Sequence, residues 1–297
     1  MPKAAVIPQN YELINGFLLS RSVMDCTPAT LKDYKLRLNQ FNRYLFANSP
    51  GLPLVQVERR HIEAYLMDIK GKGRASWTLR TQYRCLSAFY RWMIEEQFID
   101  NSPLFHMRLP KVPKVGKAFL TETQRDRLLS FCPLSTFVGS RTAAMIWLLW
   151  TTGMRLSELT GLQISDLDNQ GNKIRVFGKG RKERYVPYSK EAKKAVWRYT
   201  AYRADTLPQL WLTEERKPMK SAGVQEAFDR IYKRADIHVK DICHIFRRTW
   251  AMRQLKAGVP IRYVQIIGGW ENLSTMETYV RAMQTEEALD DSKVKWV

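Results

Sequence analysis

Residues 243–281 read CHIFRRTWAMRQLKAGVPIRYVQIIGGWENLSTMETYVR, and the rest of the chain is organised around this stretch. His244 and Arg247 stand three residues apart, so on a helix they share one face. Phe246, Trp250 and Leu255 supply apolar positions for packing around it. Gly258 ends the segment as a C-terminal glycine does, and Pro260 suits the first turn of a following helix. That second helix should end near Gly268-Gly269, with Trp270 in the turn beyond. Ser274 or Thr275 can cap a last short helix carrying Tyr279. A phosphodiester needs cations to hold it, a group to move protons and a nucleophile. This stretch holds one of each, provided the fold brings them together.

Charge narrows the partner. The chain of 297 residues carries 48 Lys and Arg against 29 Asp and Glu, a formal net charge of +19. A folded protein this basic meets a polyanion, and nucleic acid is the first candidate. The four cysteines, Cys26, Cys85, Cys132 and Cys243, are widely spaced and form no CxxC pair. That argues against a zinc site and fits reduced thiols in a cytosolic protein. No apolar run approaches the length of a membrane span, and the first ten residues lack the apolar core of a signal peptide. The expected location is the cytoplasm, associated with the nucleoid.

Outward from the opening stretch, periodicity predicts mostly helix. Residues 1–9 read as a loose arm, followed by a short helix over 11–20. A stronger one spans 30–46, with Leu31, Tyr34, Leu38, Phe41 and Leu45 as its apolar stripe and Arg37 and Arg43 on its other face. A helix over 58–69 comes next. Then Leu79, Tyr83, Leu86, Phe89, Tyr90 and Met93 mark another, capped by Ser76 or Thr78, with Arg80 and Arg84 near its start. Residues 1–107 therefore read as a bundle of four or five helices. Thr78, Arg80 and Arg84 suit a helix start entering a major groove, although a lone surface arginine is more often merely solvated. Residues 108–118, with two prolines, a glycine and several cations, read as a basic linker.

The second domain, 119–297, opens with Thr121 and Gln124 in a capping-box pattern. An apolar helix over 141–150 should be buried. It stops at Gly153, and a short helix follows with Arg155 at its start and Glu158 three residues on. Residues 173–186 read as a β-hairpin, with Ile174 and Val176 on one side, Arg175 and Phe177 on the other, and Lys179 at the tip. Helices should follow from 189 to about 203 and from a cap at Ser221 to about 235. Taken singly, these signals are weak. A Gly-Lys-Gly turn occurs without the Walker pattern, and a lone tyrosine on a helix is more often core than nucleophile.

The ordered set is another matter. TTGMRLSELTGL, FGKGRKERYVP, HIFRRTWAMRQLKAGVPIRYVQIIGGW and STMETYVRA, in that order, resemble the tyrosine site-specific recombinase (phage integrase) family, and its Xer-like and mobile-element members most closely. The resemblance spans about residues 119–282. It implies a mainly α fold with a small β-sheet or hairpin in the catalytic domain, arranged as a two-domain C-shaped clamp. An N-terminal helical, SAM-like core-binding domain would join a C-terminal catalytic domain whose tail, 284–297, contacts other protomers. It assigns the nucleophile to Tyr279, the catalytic arginines to Arg155 and Arg247, and the lysine to Lys179. His244 takes the histidine position, Trp270 the His-or-Trp position and Glu158 the supporting acid. Arg248 stands where relatives carry a second histidine and adds a cation. Arg181 and Lys182 join the DNA-binding set.

What the family resemblance implies is a metal- and ATP-independent strand exchange that needs no cofactor. Tyrosine exchanges one phosphoester for another, so the bond energy is stored in a 3′-phosphotyrosine. The substrate would be double-stranded DNA with inverted-repeat sites, recombined through a Holliday junction by a homotetramer or paired recombinases that are monomers in free solution. Integration, excision, transposition and chromosome dimer resolution all remain open at this stage. So do two rivals, a catalytically silent DNA-binding regulator and a type IB topoisomerase-like or resolvase enzyme.

Overall fold

A computed structural model describes residues 8–108, 118–178, 182–239, 241–273 and 276. The chain divides into two compact units, residues 1–115 and 116–297. The first is helical. Its helices are α1 (Pro8–Val23), α2 (Pro28–Asn48), α3 (Arg59–Gly71) and α4 (Ser76–Glu95). The first helix begins earlier than periodicity suggests, because Pro8 and Gln9 form its opening turn rather than part of an arm. Thr27 caps α2 by accepting from the Thr30 amide, and Pro28 takes the first helical position, where a missing N–H costs nothing. Leu38, Phe41 and Leu45 of the expected stripe are buried.

The core of this unit is aromatic. Phe17, Phe41, Phe89 and Tyr90 are fully enclosed, and Phe89 meets Phe17 edge-on at 5.5 Å. One polar link runs through it: Asn10 donates to the Asn42 side chain at 2.9 Å and accepts from the Leu54 amide at 2.9 Å. Neither Ser76 nor Thr78 caps α4. Ala75 holds the cap position in an extended conformation and Ser76 is already helical.

The second unit is built on α6 (Phe137–Thr152), which is preceded by α5 (Glu122–Ser130). Thr121 and Gln124 form the reciprocal cap expected of them. Twelve of the sixteen residues of α6 are buried, including Arg141, whose guanidinium donates to the Leu212 carbonyl. After the short α7 (Leu156–Gly161) comes an antiparallel sheet in the order β1-β2-β3. Its strands are β1 (Leu167–Asp168), β2 (Lys173–Phe177) and β3 (Glu183–Pro187). Ile174 pairs with Val186 and Val176 with Arg184, so these four side chains share the inward face.

Four more helices complete the description: α8 (Lys190–Thr200), α9 (Ser221–Arg234), α10 (His244–Lys256) and α11 (Ile261–Gly268). Helix α8 stops short of Arg203, whose guanidinium turns instead to Asp205 and the Leu207 carbonyl. Ser221 is the first residue of α9 rather than its cap, which is Lys220. The α10–α11 pair forms as expected, with Gly258 at φ 78° after α10, but Pro260 is the cap of α11 and Ile261 opens its first turn. Replacing Phe89 by Ala should cost about 3–5 kcal/mol of unfolding free energy, because removing a fully buried ring leaves a cavity. Denaturant titration of the variant beside wild type checks this.

Candidate active site

Helix α6 ends in the left-handed Gly153, and Arg155 then occupies the N-cap position of α7. No hydroxyl is available there, so Glu158, in the first turn, accepts from the Arg155 amide at 2.7 Å. The same carboxylate binds the Arg155 guanidinium at 2.8 Å. A second guanidinium reaches it from β3. Arg184 donates one Nη to each carboxylate oxygen at 2.7 Å, a planar fork on a planar acceptor. The Glu158 side chain is 1% exposed, Arg184 13% and Arg155 34%. Burial pushes the Glu158 carboxyl up. The Arg184 fork and the Arg155 amide and guanidinium outweigh this and hold it at about 2, against the usual 4.5.

Both arginines continue to the end of α11. Arg155 donates to the Gly269 carbonyl, and the Arg184 Nε donates to that of Ile267 at 2.8 Å. Trp270 follows at once, and its ring lies so close over Gly268 that a Cβ there would sit 1.8 Å from it. Gln265 holds the turn by donating to the Trp270 carbonyl at 3.0 Å. Trp270 stacks on Trp250, with centroids 6.2 Å apart and planes 13° from parallel. The Arg247 guanidinium lies on the Trp270 ring at 3.8 Å and donates to the Gly153 carbonyl at 2.9 Å. Arg155, Lys182, Arg184, Arg262 and Trp270 line one cleft of about 340 Å³. Glu183 and Glu271 line it too, so the hollow carries four cations against two carboxylates.

The phage integrase family matches residues 118–286, and its N-terminal SAM-like domain matches residues 13–100. This chain belongs to the phage integrase family. It is a tyrosine recombinase, an enzyme of site-specific DNA recombination. It is 31% identical to tyrosine recombinase XerC of Bacillus pumilus over 264 residues, covering 84% of this chain and 85% of that one. XerC of Bacillus licheniformis is 30% identical over 261 residues, covering 84% of each. The Tn1549 transposon integrase, solved with circular intermediate DNA, shares the fold at a TM-score of 0.74 and 24% identity, covering 91% of this chain and 94% of its own. XerH recombinase bound to palindromic difH substrate in a post-cleavage complex has a TM-score of 0.74 at 16% identity, covering 96% and 84%.

Lys179, Arg181 and Tyr279, with the caps at Ser274 and Thr275 and the tail over 284–297, lie outside the described residues. His244 begins α10 and is exposed, whereas Arg247, one turn on, is 2% exposed. His244 lines a separate hollow with Leu156, Glu226, Asp229 and Asp241 rather than the arginine cleft. Cys243 beside it is buried, which pushes its thiol up to about 12.

Arg248 needs a correction. It is no outward cation for DNA: 5% exposed, it is bonded to Asp241 at 2.8 Å and reaches the Ala118 carbonyl at 3.5 Å. The helical turn that puts it after Arg247 also turns it into the protein. In the N-terminal unit Arg84 and Arg43 are exposed, and Thr78 and Arg80 are half-buried. Arg37 is paired with Asp33 at 2.8 Å.

Sequence reasoning missed Arg184. Its signal was present, as a charged residue on the inward parity of β3 with Val186 and Tyr188. Among the described residues no cluster of His, Cys, Asp or Glu could hold a metal, and no helix is long and apolar enough to cross a membrane.

Because the folded Glu158 is more acidic than the unfolded one, its ionisation stabilises the protein above the unfolded value. That contribution fades as pH falls from about 4.5 to about 2. The difference corresponds to about 3 kcal/mol. Glu158→Gln should therefore be much less stable than wild type at pH 6, with the gap narrowing by pH 3. Denaturant unfolding at both pH values reads it, and an unchanged gap would refute the linkage.

Proposed function

We propose that the recombinase cuts DNA with Tyr279 as nucleophile. The Tyr279 oxygen attacks the scissile phosphorus as the bond to the 5′-oxygen breaks, leaving a 3′-phosphotyrosine and a free 5′-hydroxyl. His244 takes the tyrosine proton, and Lys179 returns a proton to the departing 5′-oxygen. Arg155 and Arg247 bind the non-bridging oxygens, whose charge grows in the pentacoordinate transition state. Trp270 supplies a packing face and an indole N–H donor in place of a second histidine.

One observation carries this reading. Arg155 is fixed by a buried carboxylate yet remains 34% exposed on a cationic cleft, which is how a phosphate-binding guanidinium has to be held. Arg247 is 2% exposed, so its contact with phosphate requires the side chains over it to move when DNA enters.

The same proposal extends to assembly. Four protomers pair two DNA sites with inverted repeats and exchange strands through a Holliday junction, the protein being monomeric when free. The palindromic substrate of XerH supports the symmetry of such sites. Residues 1–107 act as the core-binding domain through Arg37, Arg43, Thr78, Arg80 and Arg84. Residues 108–118 link it to a catalytic domain over 119–297, in which Arg181 and Lys182 contact the backbone and 284–297 reaches a neighbouring protomer. The working place is the cytoplasm at the nucleoid.

A pool of nicked, randomised duplexes tests the chemistry. Wild-type protein should become covalently attached to a subset of them on a denaturing gel, and Tyr279→Phe should not. Arg155→Ala should slow trapping by roughly 30- to 1,000-fold, the loss of about 2–4 kcal/mol of transition-state binding. Trapping by Tyr279→Phe would remove the tyrosine from its role. No trapping by wild type would favour a silent DNA-binding regulator.

A further inference from the structure

Glu158 binds more cation than it needs to orient Arg155. Each of its oxygens already receives a hydrogen bond from Arg155, one from the amide and one from the guanidinium. The Arg184 fork adds one more bond to each oxygen. Arg184 spends three of its five N–H donors inside the protein. Its Nη1 and Nη2 are on Glu158 and its Nε is on Ile267, with 13% of the side chain exposed. Its guanidinium rests against Gly269, where a Cβ would stand 3.0 Å from the Cζ and Nε. Gly269 has φ 67°, so the position tolerates little but glycine on two counts.

We propose that Arg184 is a positioning residue for strand cleavage. Acting through Glu158 and the end of α11, it fixes Arg155 and leaves the Arg155 charge available to the scissile phosphate. This inference rests on the proposal that Arg155 grips that phosphate.

The physics has two parts. The first is charge. Arg155 alone with a buried carboxylate would form a neutral pair and lose most of its pull on an anion. Two guanidinium groups on one carboxylate leave one net positive charge. The member that can reach solvent is Arg155. The second is geometry. Arg184 stands on β3 and joins it to α7 through Glu158 and to the last turn of α11 through Ile267. Arg155 bridges the same two elements, ending on Gly269, two residues from Ile267. The pair therefore forms a closed loop of hydrogen bonds, in which moving either arginine moves Glu158 or the turn that presents Trp270.

The test uses the full chain and a nicked duplex selected by covalent capture with wild-type protein, in single-turnover trapping. At saturating protein, Arg184→Gln should lower the trapping rate constant by about 10- to 100-fold and change the dissociation constant for the duplex by less than about threefold. A merely structural defect would reduce the trapped fraction instead of the rate constant. Because Arg184 acts through Glu158, the Glu158→Gln/Arg184→Gln double variant should be no more than about threefold slower than Glu158→Gln alone.

Arg184→Lys keeps the charge without the fork. It should remain about tenfold slow or worse, and it carries the test if circular dichroism shows that Arg184→Gln does not fold. Wild-type rates in both Arg184 variants, or losses that multiply in the double variant, would overturn the inference while leaving the cleavage chemistry standing. A wild-type protein that traps no duplex would overturn that chemistry and this inference together.

Discussion

A single buried carboxylate holds this site together. Glu158 lies where water cannot solvate it, and a bare charge there would be ruinous. Two arginines and an amide compensate it, and each of these donors belongs to a part of the chain that the chemistry needs. The start of α7 and β3 meet at the carboxylate, and the same two arginines run on to the Gly269 and Ile267 carbonyls at the end of α11. Such a network is worth having only when complete, because removing one partner exposes the desolvation cost of the rest.

The second layer of the site is aromatic rather than ionic. Trp250, Trp270 and the Arg247 guanidinium form a stack over the Gly153 carbonyl. At position 270 this chain has an indole, which does not titrate. Trp270 also sits directly after the two glycines that let its ring and the Arg184 guanidinium approach the backbone. The ionic and aromatic layers thus meet at residues 268–270.

Much of this was legible in the sequence. Residues whose role depends on near neighbours could be read directly. Thr121 with Gln124, the apolar run of α6, the alternation of Ile174 and Val176, and Glu158 three residues from Arg155 are all local patterns. The opening stretch resolved into the expected helix pair and tryptophan turn.

What escaped depended on fine register or distant partners. Ser76 and Ser221 resemble caps, but the chain bends one residue earlier, at Ala75 and Lys220, and a shift of one position separates a cap from a first turn. Arg248 reads as a surface cation until Asp241 and Ala118 are placed around it. Arg184 is recognisable only after β3 is paired with β2 and a carboxylate 26 residues upstream arrives beneath it.

The wide sequence spacing of these partners has a consequence for the cell. The bond between Arg155 and Gly269 spans 114 residues, that between Arg184 and Ile267 spans 83, and that between Arg247 and Gly153 spans 94. A ribosome must release nearly the whole chain before any of them can close. Contacts of such high sequence separation are also the costly ones to form in folding. The Glu158 pairs with Arg155 and Arg184 span only 3 and 26 residues, so the carboxylate can be compensated before either arginine is tied to the end of α11.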